Sequence, residues 1–282
     1  MAVLRFLRSN LGYFVWFCFY FFVAWSMLGE DWQAFGWASL IYGVSITIAL
    51  SPVGEVLLRW LEHMRAVQTK EEKDYLTPIF EEVYQNAKKK FPRLSNNIKL
   101  YIDDAMTVNA FAVGRNTIAV TKGAVSTFSR DELKGVIAHE FGHLVNGDTK
   151  ALLLNIIGNG FFTLTIFVLR IVMSIIRFIT GLFDSGGVIS FVFWLINFVF
   201  DIYVFVIMFV GQLLLSATSR QAEYYADHFS YEIGLSDELI KALYILQKIS
   251  IPRNVTIMQR LKASHPNLGG RIARLERLQE TA

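Results

Sequence analysis

Hydrophobic and polar positions fall into long blocks along this chain. Four apolar stretches stand out, in two pairs. The first pair runs from about Leu11 to Leu28 and from about Phe35 to Leu57, separated by the short turn Gly29-Glu30-Asp31-Trp32-Gln33. Each of these is long enough to cross a hydrocarbon core of about 30 Å as a helix. The second pair runs from about Ala151 to Leu182 and from about Val188 to Ala217, bending at Asp184-Ser185-Gly186-Gly187. It is read as a second membrane hairpin, with full spanning and partial embedding both open. Arg5 and Arg8 before the first run would suit a cleaved signal peptide, but no small-residue cleavage site precedes the acidic turn and a second span follows. An uncleaved hairpin anchor is expected.

Between the hairpins the period changes. Residues from about Lys70 to Lys90 carry Leu76, Ile79, Phe80 and Val83 at helical spacing. Two strand-like runs follow, Ile98 to Ile102 and about Ala110 to Val113. The turn Gly114-Arg115-Asn116 then leads into a third, Thr117 to Thr121, as a hairpin would. Ser129 and Glu132 form an S-x-x-E capping box that starts a helix, and Gly147 is placed to stop it. Asp148 is read as the cap of the next helix. Gly135 and Gly142 lie seven apart inside the first of these helices, on nearly one face. Each costs about 1 kcal/mol relative to alanine, so close packing against another backbone is expected there. The predicted organisation is a membrane hairpin over 1–58, the first part of a polar domain over 59–149, a second hairpin over 150–218, and the remainder of the polar domain over 219–282. The fold class is an α-helical integral membrane protein with a mixed α/β domain and a small sheet that has an edge strand.

Composition agrees with a bilayer as partner. Apolar residues make up 54% of the chain and charged residues 18%, against about 25% charged in an ordinary soluble domain. A net charge of +3 with no basic run interleaved with aromatics excludes a nucleic-acid reading. The single cysteine, Cys18, can form no internal disulfide. Arg5 and Arg8 before the first span, Glu30 and Asp31 in its turn, and Arg59, Arg65 and Lys70 after the second span place the N-terminus and the polar domain on the cytoplasmic side. In the second hairpin Arg170 and Asp201 reach similar depth, which suggests that they pair. Independent snorkelling to headgroups is the alternative, and Arg177 adds a second positive charge nearby.

The chemistry sits in His139-Glu140-Phe141-Gly142-His143. Two histidines four apart share one helical face and can bind one metal ion, and the glutamate between them can take a proton from water. A catalytic zinc needs a third protein ligand and an open position. Glu223, in Ser219-Arg220-Gln221-Ala222-Glu223-Tyr224-Tyr225-Ala226-Asp227, follows the fourth apolar stretch, so the hairpin returns it to the same membrane surface. Asp227 lies one turn on and is placed to hold the other nitrogen of a ligand histidine. His63 and His228 are read as ordinary polar residues.

With these residues in hand, the chain resembles the HtpX-type membrane zinc metalloproteases, relatives of the CAAX prenyl proteases within the gluzincin group. The resemblance covers nearly the whole chain: the N-terminal hairpin, Asn109-Ala110-Phe111-Ala112-Val113-Gly114, the His139–His143 motif, the second hairpin, Glu223 to Asp227, and Ser264-His265-Pro266 with Arg271-Ile272. Serine for threonine at 264, Asn267 for a second proline and Ala222 for a common arginine depart from the family pattern, and none removes a ligand. The resemblance implies a zincin-like metalloprotease domain, one zinc held by His139, His143 and Glu223, Glu140 as general base, and Asp227 beside a ligand. It further implies that Asn109 to Gly114 form the edge strand that receives an extended substrate, and that Asn109, His265 and Arg271 support or polarise the oxyanion. The implied setting is the bacterial inner membrane with the site facing the cytoplasm, acting in stress response and quality control on damaged membrane polypeptides. Self-association is left open. A prenyl-protein protease and a non-proteolytic membrane scaffold or holdase with a structural metal are the rivals. Glu140 argues against the second of these, because a structural site has no use for a water-activating base.

Overall fold

A computed structural model of the chain describes residues 11–29, 31–150, 153–154, 160–183, 187–249 and 267–281. His265 lies outside the described residues, as do Ser264, Pro266 and the Asp184–Gly186 part of the second bend.

The polar domain is a four-stranded sheet backed by helices. Its strands are β1 (Arg65–Ala66), β2 (Lys99–Asp103), β3 (Ala110–Val113) and β4 (Thr117–Thr121), in the order β1-β2-β4-β3. β2 and β4 run parallel, while β3 and β4 form the antiparallel hairpin that the Gly114 turn anticipates. β3 is therefore an edge. Every residue of β4 is buried, as a central strand covered on both faces should be.

Between β1 and β2 lies helix α4 (Lys70–Lys90), where Thr69 and Glu72 complete a capping box and Leu76, Ile79, Phe80, Val83 and Ala87 form the buried stripe. The short α5 (Lys122–Thr127) follows β4. Helix α6 (Arg130–Asn146) starts at the predicted Ser129–Glu132 box and ends at Gly147 in the left-handed conformation, whose N–H bonds to the His143 carbonyl. α6 is the spine of the domain and packs against α4, β3, α8 (Val188–Glu232) and α9 (Ser236–Ile249). Phe141, Leu133 and Ile137 fill the core between it, α4 and the sheet.

The two motif-helix glycines are contact points. A Cβ on Gly135 would stand 2.2 Å from the Leu239 nitrogen of α9, and one on Gly142 would stand 2.6 Å from Ala226 Cα of α8. In an isolated helix glycine to alanine gains about 1 kcal/mol. Here steric conflict with backbone reverses the sign, and Gly142→Ala is expected to cost about 1–3 kcal/mol, read as a lower thermal midpoint in detergent.

The N-terminal region contains α1 (Leu11–Leu28), α2 (Trp32–Leu50) and α3 (Pro52–Leu61). Asp31 caps α2 through the Ala34 N–H at 2.6 Å. The second predicted span, about Phe35 to Leu57, is divided. Ser51 caps a new helix and Pro52 occupies its first turn, where the missing N–H costs nothing. Trp16, Tyr20 and Tyr42 hold α1 against α2. In the second hairpin, α7 (Gly160–Phe183) faces α8, and Arg170 Nη2 donates to Asp201 Oδ1 at 2.9 Å, so these two charges pair.

α8 runs unbroken for 45 residues, about 67 Å at 1.5 Å per residue. It passes straight through the boundary expected at 218, so the helix that leaves the second apolar run is the one that carries Glu223 and Asp227. Among the described residues two segments are long and apolar enough to cross a membrane, Trp32–Leu50 and Phe191–Gly211; Leu11–Ser26 and Phe167–Ile176 are shorter apolar helices. Finally α10 (Leu268–Glu280), capped by Asn267, lays Ile272 and Leu275 on Leu239, Ile240 and Leu243 of α9.

Candidate metal centre

Three helices converge on the motif. α6 presents His139 and His143 one turn apart. Because Gly142 has no side chain, α8 approaches α6 closely at Ala226, which brings Glu223, one turn earlier, up to both imidazoles. Arg274 stacks over Tyr224 at 4.7 Å and fastens α10 to α8, so Arg271 is delivered from the third side.

The two Nε2 atoms of His139 and His143 face each other at 3.2 Å. Glu223 Oε2 lies 3.3 Å from His139 Nε2, and Glu223 Oε1 lies 3.7 Å from His143 Nε2. A tetrahedral ion with bonds of about 2.0–2.1 Å keeps its ligand atoms about 3.3–3.4 Å apart, so this triangle is the right size for zinc. Each imidazole is turned by its other nitrogen. His139 Nδ1 is 3.0 Å from Asp227 Oδ1, and His143 Nδ1 is 3.0 Å from Asp148 Oδ2. With each Nδ1–H donated to a carboxylate, each Nε2 keeps its lone pair for a cation. His139, Glu140 and His143 offer ligand atoms within 4.8 Å of one another.

Among the described residues the site gathers four carboxylates, Glu140, Asp148, Glu223 and Asp227, and one guanidinium, which contacts Glu223 and Asp227. Burial and the Arg271 charge push His139 down, but its hydrogen bonds to Asp227 and Glu223 outweigh them and lift its pKa to about 9. Burial raises Glu140 above the usual carboxylate range, against the pull of His143 and His139. Burial also opposes the charge of Asp227, yet the hydrogen bond from His139 and the nearby Arg271 hold its pKa low.

Arg271 lies against two carboxylates of the site. Its Nη1 meets Glu223 Oε2 at 2.7 Å, and Nη2 and Nε grip the two oxygens of Asp227 at 2.6 and 2.9 Å. Asp148 stands where the next helix starts, and its carboxylate also accepts from Asn146 and holds His143. The sequence carried a signal for it, an acid five residues beyond a motif histidine and just after a left-handed glycine. Replacing Asp148 with alanine should weaken metal affinity by about 10- to 100-fold, measured by competition with a chromophoric chelator.

The site opens into a cavity of about 470 Å³. Its lining includes Asn109 with Ala110, Phe111 and Ala112 of the edge strand, and an apolar part from Leu239, Leu243, Leu246 and Leu268. The last two residues of the expected substrate strand lie elsewhere. Val113 packs with Ala49, Leu58 and Leu153, and Gly114 makes the turn, its carbonyl accepting from Thr149. Sequence reasoning had no reason to include Tyr13, yet α1 places it in the cavity lining, and Ala222 lies buried in the same lining. The approach of α1 is set by Gly12 N donating to Thr218 Oγ1 and by Trp16 lying over Gly211 of α8.

An edge strand beside a motif helix, with a carboxylate and two imidazoles from two long helices, defines a metallopeptidase-type architecture. The chain belongs to peptidase family M48, whose sequence model matches residues 70–279. It is 31% identical over 195 residues to a protein named Protease HtpX homolog from Desulfotalea psychrophila, covering 61% of this chain and 65% of that protein. It is 33% identical over 190 residues to the Bacillus subtilis protein of the same name, covering 60% and 59%. The match thus spans less than two thirds of these relatives' length. Among solved structures, the fold is shared with S. mikatae Ste24p at a TM-score of 0.55 and 19% identity, over 92% of this chain and 62% of that one.

Proposed function

We propose that this protein is a membrane-embedded zinc endopeptidase that hydrolyses peptide bonds in membrane or membrane-proximal polypeptides, in the quality control of damaged ones. The observation that carries this is the donor triangle of His139, His143 and Glu223, with both histidines oriented by aspartates and Glu140 beside them at the mouth of a strand-walled cavity. The donor set suits one zinc ion per chain. When bound, zinc supplies Lewis-acid polarisation of the scissile carbonyl and acidifies water.

The chain's own residues do the rest. The β3 edge binds the substrate backbone as an added strand, which aligns the scissile bond, and the leucine wall takes an apolar side chain. Glu140 accepts the proton of the attacking water and returns it to the leaving amine. Asp227 and Asp148 hold the two imidazoles, and Arg271 holds Glu223 and Asp227. His265 is retained as a candidate for oxyanion support on the family resemblance.

A bilayer setting is supported by the two segments able to cross it and by the exposed apolar surface of α7 and α8, on which Phe167, Phe178, Phe191 and Phe205 are all open. The basic residues flanking α1 to α3 favour a cytoplasmic site in an inner membrane. The test is metal analysis of the purified protein together with cleavage of an unfolded membrane protein. Zinc near one per chain and chelator-sensitive cleavage are expected; cleavage that survives complete metal removal overturns the proposal.

A further inference from the structure

We propose that α3 is an interfacial helix whose apolar face lies in the lipid headgroup and upper acyl layer while its opposite face clamps the turn that ends the edge strand. The proposal rests on α2 crossing the bilayer.

α3 carries two stripes. Val53, Val56, Leu57, Trp60 and Leu61 follow the i, i+3, i+4, i+7, i+8 pattern and are 63%, 54%, 39%, 72% and 51% exposed. Gly54, Glu55 and Leu58 on the other side are buried. The roll of the helix is fixed by that inner side. Glu55 accepts from the Arg115 N–H, and Arg59 donates to Thr117 Oγ1 at 2.9 Å while lying over the Tyr101 ring at 5.0 Å. Gly114 has φ +62°, a conformation that favours glycine, and the Glu55 side chain packs directly against it. With the inner face locked to the hairpin, the apolar stripe can only point away from the sheet.

Continuity names the occupant. Only Ser51 separates Leu50, the last residue of α2, from Pro52, so α3 begins within a few ångströms of where the candidate span ends. A short amphipathic helix with a tryptophan on its apolar face at that level has the physical character of one lying in the interface plane. The edge strand lining the cavity is thereby tied, through Glu55 and the Gly114–Arg115 turn, to a helix resting on the membrane surface. A polypeptide segment leaving the bilayer would meet the strand at a fixed height.

Cys18 is the single cysteine, so a Cys18→Ala background permits an environment-sensitive fluorophore at one chosen position. Val56→Cys and Leu61→Cys report the α3 face, Leu40→Cys reports the middle of α2, and Glu71→Cys reports the exposed start of α4. The labelled protein is reconstituted in phosphatidylcholine vesicles containing a nitroxide lipid, with the nitroxide near the headgroup or near the chain end. Positions 56 and 61 should be quenched about threefold or more by the shallow nitroxide relative to the deep one. Position 40 should show the reverse preference and position 71 neither. Quenching at 40 but not at 56 or 61 overturns the proposal and leaves α2 spanning, as a second copy covering the face would also produce. Preferential deep quenching at 56 and 61 overturns it too, because α3 then continues the span. Absence of quenching at 40 overturns the spanning reading itself. Two labels on the same face keep the test decisive if one variant fails to fold.

Discussion

Replacing Glu140 with glutamine is expected to lower peptide-bond hydrolysis by about 10²–10⁴-fold while leaving the metal bound. The substitution keeps the size and hydrogen-bonding reach of the side chain and removes only its capacity to take a proton. Glu140 is 7% exposed, and burial raises its affinity for protons above that of an ordinary carboxylate. The proposed metal donors are His139, His143 and Glu223, whose separations need no fourth protein atom to close the triangle. Zinc content and cleavage measured on the same preparation separate three outcomes. Lost cleavage with retained zinc supports the assigned role. Full cleavage would sink it. Loss of both would make Glu140 part of the metal's support rather than the base. A scaffold with a structural metal predicts no detectable cleavage by the unsubstituted protein in the first place.

The second large effect concerns Arg271. Arg271 is 5% exposed, and its guanidinium is the cation between Glu223 and Asp227. Removing one partner of a buried ion pair leaves the others charged and dry, which costs about 3–5 kcal/mol. Arg271→Ala should therefore lower the unfolding midpoint and weaken zinc binding together, since Asp227 and Glu223 both lose their anchor. An arginine acting only on the oxyanion would lower kcat and leave midpoint and zinc affinity unchanged. Arg271→Lys should recover part of the charge but not the two-pronged grip on Asp227, because an ammonium is a point charge and a guanidinium is a planar fork. Thermal unfolding with zinc titration of the three proteins distinguishes the two roles.

Much of this architecture was legible in the sequence where the determining interactions are local. The Ser129–Glu132 box is a three-residue relationship, the β3–β4 hairpin turns on Gly114, and His139, Glu140 and His143 need only one helix to come together. The division at Ser51-Pro52 was equally local. A cap residue before a proline signals a new helix, but the continuing apolar run masked it and extended the expected span to Leu57. The Arg170–Asp201 pair was reachable from depth counting, because two antiparallel helices of regular rise bring matched positions level.

What the sequence determined by itself is the set of elements and the motif that puts His139, Glu140 and His143 on one helix. Its reasons are short-range: helical and strand periodicity, caps, turns and the length of apolar runs. Tertiary structure alone decided where Arg271 spends its charge, that Asp148 faces His143, that Tyr13 enters the cavity, and that only Asn109 to Ala112 of the expected strand face it. These depend on the rotation of one helix against another. That rotation is set by contacts such as Gly142 on Ala226 and Gly135 on Leu239, whose partners lie about a hundred residues apart in the chain and so leave no periodic trace in it.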